Sequence, residues 1–112
     1  MDIKKVVVIG SGTMGSGIAA HLCNANVPVT LLDLTNDISE KARDRIFKSK
    51  PPLLLDKSKI ENIKVGNIDD NFDVVKDADW VVEAVVERID IKHDIYEKIF
   101  KDRKSGAIVS SN

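Results

Sequence analysis

Apolar residues in this chain fall into short unbroken runs, set between longer stretches in which they recur every three or four positions. The run at 6–9, VVVI, is wholly β-branched and predicts a strand buried on both faces. Similar runs predict further strands at 27–32, at 63–66, over 80–86 and from 107 to 110. Between them the spacing changes. Met14, Ile18, Leu22 and Ala25 repeat like one face of a helix; Ile38, Ala42 and Ile46 form a second stripe, with Glu40, Lys41, Arg43, Asp44 and Lys48 directed away from it. Ile91, Ile95 and Ile99 form a third, with Tyr96 and Phe100 beside them.

Punctuation between these segments agrees with the pattern. Asn26 suits the left-handed residue that ends a helix, and Pro28 forbids its continuation. Thr35 or Asn36 can cap the second helix, Pro51 and Pro52 stop it, and Gly106 closes the last one. Residues 69–76 read as a polar turn or brief helix bearing Phe72 and Val75. The stretch 49–61 is the least readable, and Leu53, Leu54 and Leu55 are assigned to covering the core edge. Strands alternating with helices of this length imply a parallel sheet: a single, incomplete domain of α/β class, an open doubly wound sheet of Rossmann type. A ligand is expected at the carboxyl ends of the strands, where the turn after the first strand, residue 33, the segment after 86 and the end of the fifth strand meet.

The first of those turns carries the chemistry. Gly10, Gly12 and Gly15 stand as G-x-G-x-x-G directly after a buried strand and at the opening of a helix. Gly10 permits a tight exit from the strand, Gly12 removes a Cβ that would block a pyrophosphate, and Gly15 lets the helix lie close. The helix amides and dipole then face two phosphates. Asp33 ends the second strand, 18 residues beyond Gly15, where a carboxylate accepts hydrogen bonds from adenosine ribose hydroxyls and repels a 2′-phosphate. Leu34 and Thr35 follow it, with no Arg or Lys to neutralise such a phosphate. NAD is favoured over NADP, and FAD is the weaker rival.

Composition removes other classes. With 112 residues and a formal net charge of −1, the chain has no global positive field to draw it to nucleic acid or an anionic membrane, and neither partner is expected. No run approaches membrane-spanning length and no secretory leader is read. The single cysteine, Cys23, falls inside the first helix as a packed thiol, which fits a reducing cytoplasm. His21 and His93 read as surface or partly packed side chains, the basic residues from 41 to 50 as a solvent face, and no metal-ligand cluster is found.

The residues at 8–19 (VIGSGTMGSGIA), Leu32-Asp33, 78–87 (ADWVVEAVVE) and Ser110-Ser111-Asn112 resemble the NAD-dependent 3-hydroxyacyl-CoA dehydrogenases of fatty-acid β-oxidation over nearly the whole chain. The likeness is strongest to the N-terminal cofactor domain of the long bacterial members. It implies that Gly10, Ser11, Gly12, Thr13, Met14 and Gly15 hold the pyrophosphate and Asp33 the adenosine ribose. It also implies that Ala84, Val85 and Val86 line the cofactor groove, and that Glu87 and Lys92 lie near the nicotinamide ribose. Without the family, Glu87-Arg88 reads as a solvated pair and Lys92 as decoration of its helix. In the family, Ser111-Asn112 opens a Ser-Asn-Thr-Ser stretch. The final serine, the catalytic histidine, the glutamate that orients it and the helical second domain are expected beyond residue 112, so no catalytic residue is assigned. Acyl-CoA would be substrate of the longer enzyme, which the resemblance admits as a homo-oligomer. Two readings compete: a stand-alone NAD(H)-binding module or remnant without catalytic activity, and a 3-hydroxyacid or 6-phosphogluconate type dehydrogenase, against which Asp33-Leu34 argues.

Overall fold

The β-branched run at 6–9 forms β1 (Val6–Ile9), with all four residues buried. It lies at the centre of a five-stranded parallel sheet with β2 (Val29–Asp33), β3 (Ile63–Asn67), β4 (Trp80–Glu83) and β5 (Ile108–Ser111), in the order β3-β2-β1-β4-β5. The computed structural model describes residues 3–50, 52–85 and 89–111, and of 89–93 and 111 the backbone alone. Among the described residues four helices accompany the strands: α1 (Thr13–Asn24), α2 (Asn36–Lys48), α3 (Ile68–Asn71) and α4 (Ile89–Asp102). Short 3-10 turns at Lys57–Asn62 and Phe72–Asp77 complete the crossovers. The chain steps outward from β1 through β2 to β3, then returns to β1's other side for β4 and β5. The reversal makes a topological switch point between β1 and β4.

Side-chain alternation along the strands divides the core into two layers. Val6, Val8, Val29, Leu31 and Val82 face α1 and α2, meeting Ala19, Ala20, Cys23, Ala42 and Ile46. Val7, Ile9, Leu32 and Val81 face the other way, onto Ile68, Phe72, Val75, Ile95 and Ile99. Burying each such valine, leucine or isoleucine is worth about 1.5–3 kcal/mol, so the double burial of β1 organises both layers.

Most boundaries follow the sequence signals. Asn26 has φ 62° and Gly106 φ 84°, both left-handed, and Thr35 caps α2 by accepting a hydrogen bond from the Ile38 amide. Three expectations about apolar burial need correction. The buried stripe of α1 is Gly15, Ser16, Ala19, Ala20 and Cys23, while Met14 is 60% exposed and Ile18 and Leu22 are half-buried. Small residues face the sheet because they let the helix backbone come close. The larger apolar stripe lines an outer groove of about 610 Å³ that Trp80 also borders. On α2, Ala42 and Ile46 are buried but Ile38 is 39% exposed. Of the three leucines assigned to the core edge, only Leu54 is buried.

At the amino edge of the sheet, Asp79 joins three segments. One carboxylate oxygen accepts from the Lys4 and Lys5 amides at 2.9 and 3.0 Å, and the other pairs with the Lys104 ammonium. The Lys104 hydrogen bond, followed by the backbone amides, lowers the carboxyl pKa to about 2. Because the folded value lies below the unfolded one, its stabilisation is complete above about pH 4 and is lost as pH falls through about 2. Asp79→Asn is therefore expected to lower the urea midpoint at pH 7, with the gap from the parent closing between about pH 4 and pH 2. A gap independent of pH would contradict this account.

Candidate cofactor-binding site

Ile9, Leu32, Gly66, Glu83 and Ser111 stand in one row across the sheet, so the carboxyl ends of all five strands form one edge. At its centre the chain leaves β1 through Gly10, whose φ is +105°. The Gly10 amide donates to the Leu32 carbonyl at 2.7 Å, and the Ala84 amide donates to the Ile9 carbonyl at 2.7 Å. The turn is thus wedged between β2 and β4. A Cβ at Gly10 would lie 2.5 Å from the Ala84 carbonyl oxygen, so both backbone conformation and space exclude a side chain.

The other two motif glycines differ in what surrounds them. A Cβ on Gly15 would stand 1.8 Å from the Gly10 carbonyl oxygen, inside the protein's own backbone. One on Gly12 would meet nothing within 4 Å. The requirement at Gly15 is internal packing; at Gly12 the protein supplies no reason, and the open space lies directly before α1. Gly12 is the N-cap of that helix, with no side-chain cap bond and no acidic residue in the first turn. Thr13 and Met14 are exposed there. The first-turn amides and positive dipole end are therefore offered to an anion.

Asp33 lies beside this turn. Its Oδ2 accepts from the Ser11 amide at 2.7 Å and from the Ser11 hydroxyl at 2.6 Å; Oδ1 accepts from the Leu34 amide at 2.7 Å. A carboxylate has about four acceptor positions, so with three used by these bonds one is left for a ligand hydroxyl. On the far side of the turn, Ala84 and Val85 follow β4 and are half-buried. Val86 and Glu87 lie outside the described residues, as does the side chain of Lys92. The apolar run expected to continue as strand to residue 86 leaves the sheet after Glu83. Glu83 itself is fully buried, and its Oε2 accepts from the Val85 amide at 2.6 Å, which bends the backbone out of strand.

Three polar residues at this edge escaped the sequence reading. The Ser16 hydroxyl donates to the Ser11 carbonyl at 2.8 Å, and Arg45 Nη2 reaches the same oxygen at 3.2 Å; Glu83 is the third. Arg43, expected to face solvent, instead bends back to the Ile63 and Ile60 carbonyls at 2.9 and 3.1 Å. Elsewhere on α2 the basic residues do face solvent, Lys41 pairing with Asp37 and Lys48 with Asp44. The usable signal was helical phase: Arg45 lies three residues after Ala42 and next to Ile46, on the flank of the buried stripe. Cys23 is buried, and burial pushes its thiol pKa up despite the nearby Lys59, so it is an inert packing group. His21 is exposed on α1, away from the strand ends. Among the described residues there is no group of three His, Cys, Asp or Glu side chains that could hold a metal ion.

A parallel sheet with a switch point, a glycine turn open toward a bare helix end and an acid on the neighbouring strand define a dinucleotide-binding domain. The comparisons narrow the class. Residues 5–112 match the family described as 3-hydroxyacyl-CoA dehydrogenase, NAD binding domain, and the chain belongs to that family. It is 44% identical to a probable 3-hydroxyacyl-CoA dehydrogenase of Deinococcus radiodurans, an alignment covering all of this chain and 34% of that protein. It is 42% identical to a putative fatty acid oxidation complex trifunctional enzyme of Rickettsia felis, covering 99% of this chain and 16% of that one. Among solved structures, FadB2 of M. tuberculosis superposes with a TM-score of 0.87 at 26% identity, over 100% of this chain and 41% of that one. The (S)-3-hydroxybutyryl-CoA dehydrogenase of Ralstonia eutropha gives 0.80 at 28% identity, over 99% and 41%. The chain thus spans about a third or less of the length of these curated relatives. NAD is the cofactor of the family, and the open cradle at Gly12 and the spare acceptor on Asp33 fit it.

The two glycines separate in a stability measurement. Gly15→Ala is expected to lower the unfolding free energy by about 3 kcal/mol or more, the upper end for overfilled interiors. Gly12→Ala should cost about 1 kcal/mol or less, the difference between glycine and alanine at an N-cap. Equal losses in urea titrations would show that Gly12 also serves internal packing.

Proposed function

We propose that this chain is the N-terminal cofactor-binding portion of a longer dehydrogenase that oxidises (S)-3-hydroxyacyl-CoA to 3-ketoacyl-CoA in fatty-acid β-oxidation. The observation that carries the reading is the pairing, at one sheet edge, of open space before Gly12 with a carboxylate pre-oriented on Asp33. In this reading Gly10, Ser11, Gly12, Thr13, Met14 and Gly15 form the pyrophosphate cradle. Glycines 10 and 15 shape it, and the first-turn amides of α1 supply the donors. Asp33 accepts from the adenosine ribose and, being negative and already bonded to Ser11, rejects a 2′-phosphate. Ala84 and Val85 line the path toward the nicotinamide end, to which family resemblance assigns Val86, Glu87 and Lys92.

NAD, when bound, supplies the acceptor for the hydride leaving C3 of the substrate. This chain's part is to hold and orient it at the mouth between β1 and β4. The base that takes the hydroxyl proton, the acyl-CoA contacts and a helical second domain are assigned to sequence beyond residue 112. A free buried thiol at Cys23 suits a reducing cytoplasm. Among the described residues no helix is long and apolar enough to cross a membrane.

Titration calorimetry tests the reading on the 112-residue chain. NADH should bind, NADPH should bind at least roughly tenfold more weakly, and Asp33→Ala should cost NADH about 1.5–3 kcal/mol, the worth of a charge-assisted hydrogen bond. The same substitution should narrow the NADH/NADPH gap. No heat with saturating NADH would overturn the proposal. Turnover of 3-hydroxybutyryl-CoA by the chain at the rate of a complete dehydrogenase would overturn the assignment of the base to later sequence.

A further inference from the structure

The Ser11 carbonyl accepts two hydrogen bonds, from the Ser16 hydroxyl at 2.8 Å and from Arg45 Nη2 at 3.2 Å, although it belongs to the turn between a strand and a helix it does not enter. In a trans peptide the carbonyl and the following N–H point in opposite directions. A Ser11 carbonyl held by α1 and α2 therefore turns the Gly12 N–H the opposite way, away from those two donors, at a residue where an added Cβ would meet no protein atom within 4 Å. Nothing intrinsic to this peptide fixes that choice. Gly12 tolerates either sign of φ, so the plane between Ser11 and Gly12 can turn over at low backbone cost and would then present a carbonyl oxygen to an anion. Two donors from two helices oppose that reversal. The same residue is tied on its other side, its amide and hydroxyl both donating to Asp33 Oδ2.

We propose that Arg45 is a positioning residue of the dinucleotide site: through the Ser11 carbonyl it locks the peptide that presents the Gly12 amide to a diphosphate, and it keeps Ser11 seated against the sugar-recognising Asp33. The assignment rests on the NAD-binding reading above and deepens it. Arg45 is exposed on α2 and takes no part in either core layer, so the role is one of aim, separate from holding the fold together. Ser16 acts on the same oxygen from α1, which makes the two donors partly redundant.

The test measures NADH affinity by calorimetry on the 112-residue chain and its Arg45→Met, Arg45→Lys, Ser16→Ala and Arg45→Met/Ser16→Ala variants, at low salt and at ~0.5 M salt, beside the thermal midpoint of each unliganded protein. Arg45→Met should weaken NADH roughly tenfold, the equivalent of ~1.4 kcal/mol, with the thermal midpoint little changed. Arg45→Lys should recover part of the loss, and the double variant should lose more than the product of the single losses. The Arg45→Met loss should persist at high salt, because a peptide orientation is not screened whereas attraction of a distant charge is. Binding by Arg45→Met within twofold of the parent, or a loss that vanishes at high salt, would overturn the assignment while leaving the NAD-binding reading intact. A parent chain that binds no NADH would overturn both.

Discussion

Everything at the carboxyl edge of this sheet depends on how closely the first turn of α1 sits on the end of β1. Backbone meets backbone there: a single carbon added to Gly15 would lie 1.8 Å from the Gly10 carbonyl oxygen. That contact sets the helix axis, and the axis decides where the first-turn amides point. The buried stripe of α1 follows from it, since only glycine, serine, alanine and cysteine side chains are short enough for a helix held at that distance. The larger apolar residues of α1 are left on its outer flank as a consequence of the close approach.

Once the helix is fixed, the site is assembled by hydrogen bonds around Ser11. This residue, 1% exposed, donates twice to Asp33 and accepts from Ser16 and Arg45, so three elements, β2, α1 and α2, meet on one small side chain and its peptide. Pre-orientation of this kind reduces the ordering cost that a ligand would otherwise have to meet on binding. Glu83 does comparable work across the switch point, where its carboxylate receives the Val85 amide and ends β4. Among the described residues no buried side-chain nitrogen or oxygen is left without a partner, which a polar edge this close to the core requires.

Much of this was legible in the chain itself because it depends on local physics. Four β-branched residues in a row can bury both faces of a strand; Asn26 and Gly106 tolerate positive φ; Thr35 carries the oxygen that caps α2. The motif glycines and Asp33 could be singled out for a similar reason. Their spacing reports one strand-turn-helix unit and the strand that follows, and the structure brings the two together through Ser11. The orientation of α1 was not legible, since Met14, Ile18 and Leu22 form as good an apolar stripe as the residues that are buried, and hydrophobicity alone favours the larger ones.

What the sequence determined by itself is the kind of domain: alternating strands and helices, a glycine turn that cannot carry side chains at Gly10 and Gly15, and an acid at the end of the second strand. These follow from steric limits and periodicities that act over a few residues. The tertiary structure alone decided which carbonyl Arg45 and Ser16 would find, that Arg43 would fold back onto β3, and that Glu83 would be buried under the turn after β4. The partners of the two arginines lie far along the chain, 20 residues for Arg43 and Ile63 and 34 for Arg45 and Ser11, and a long polar side chain reads the same in sequence whether it ends in water or on a backbone oxygen.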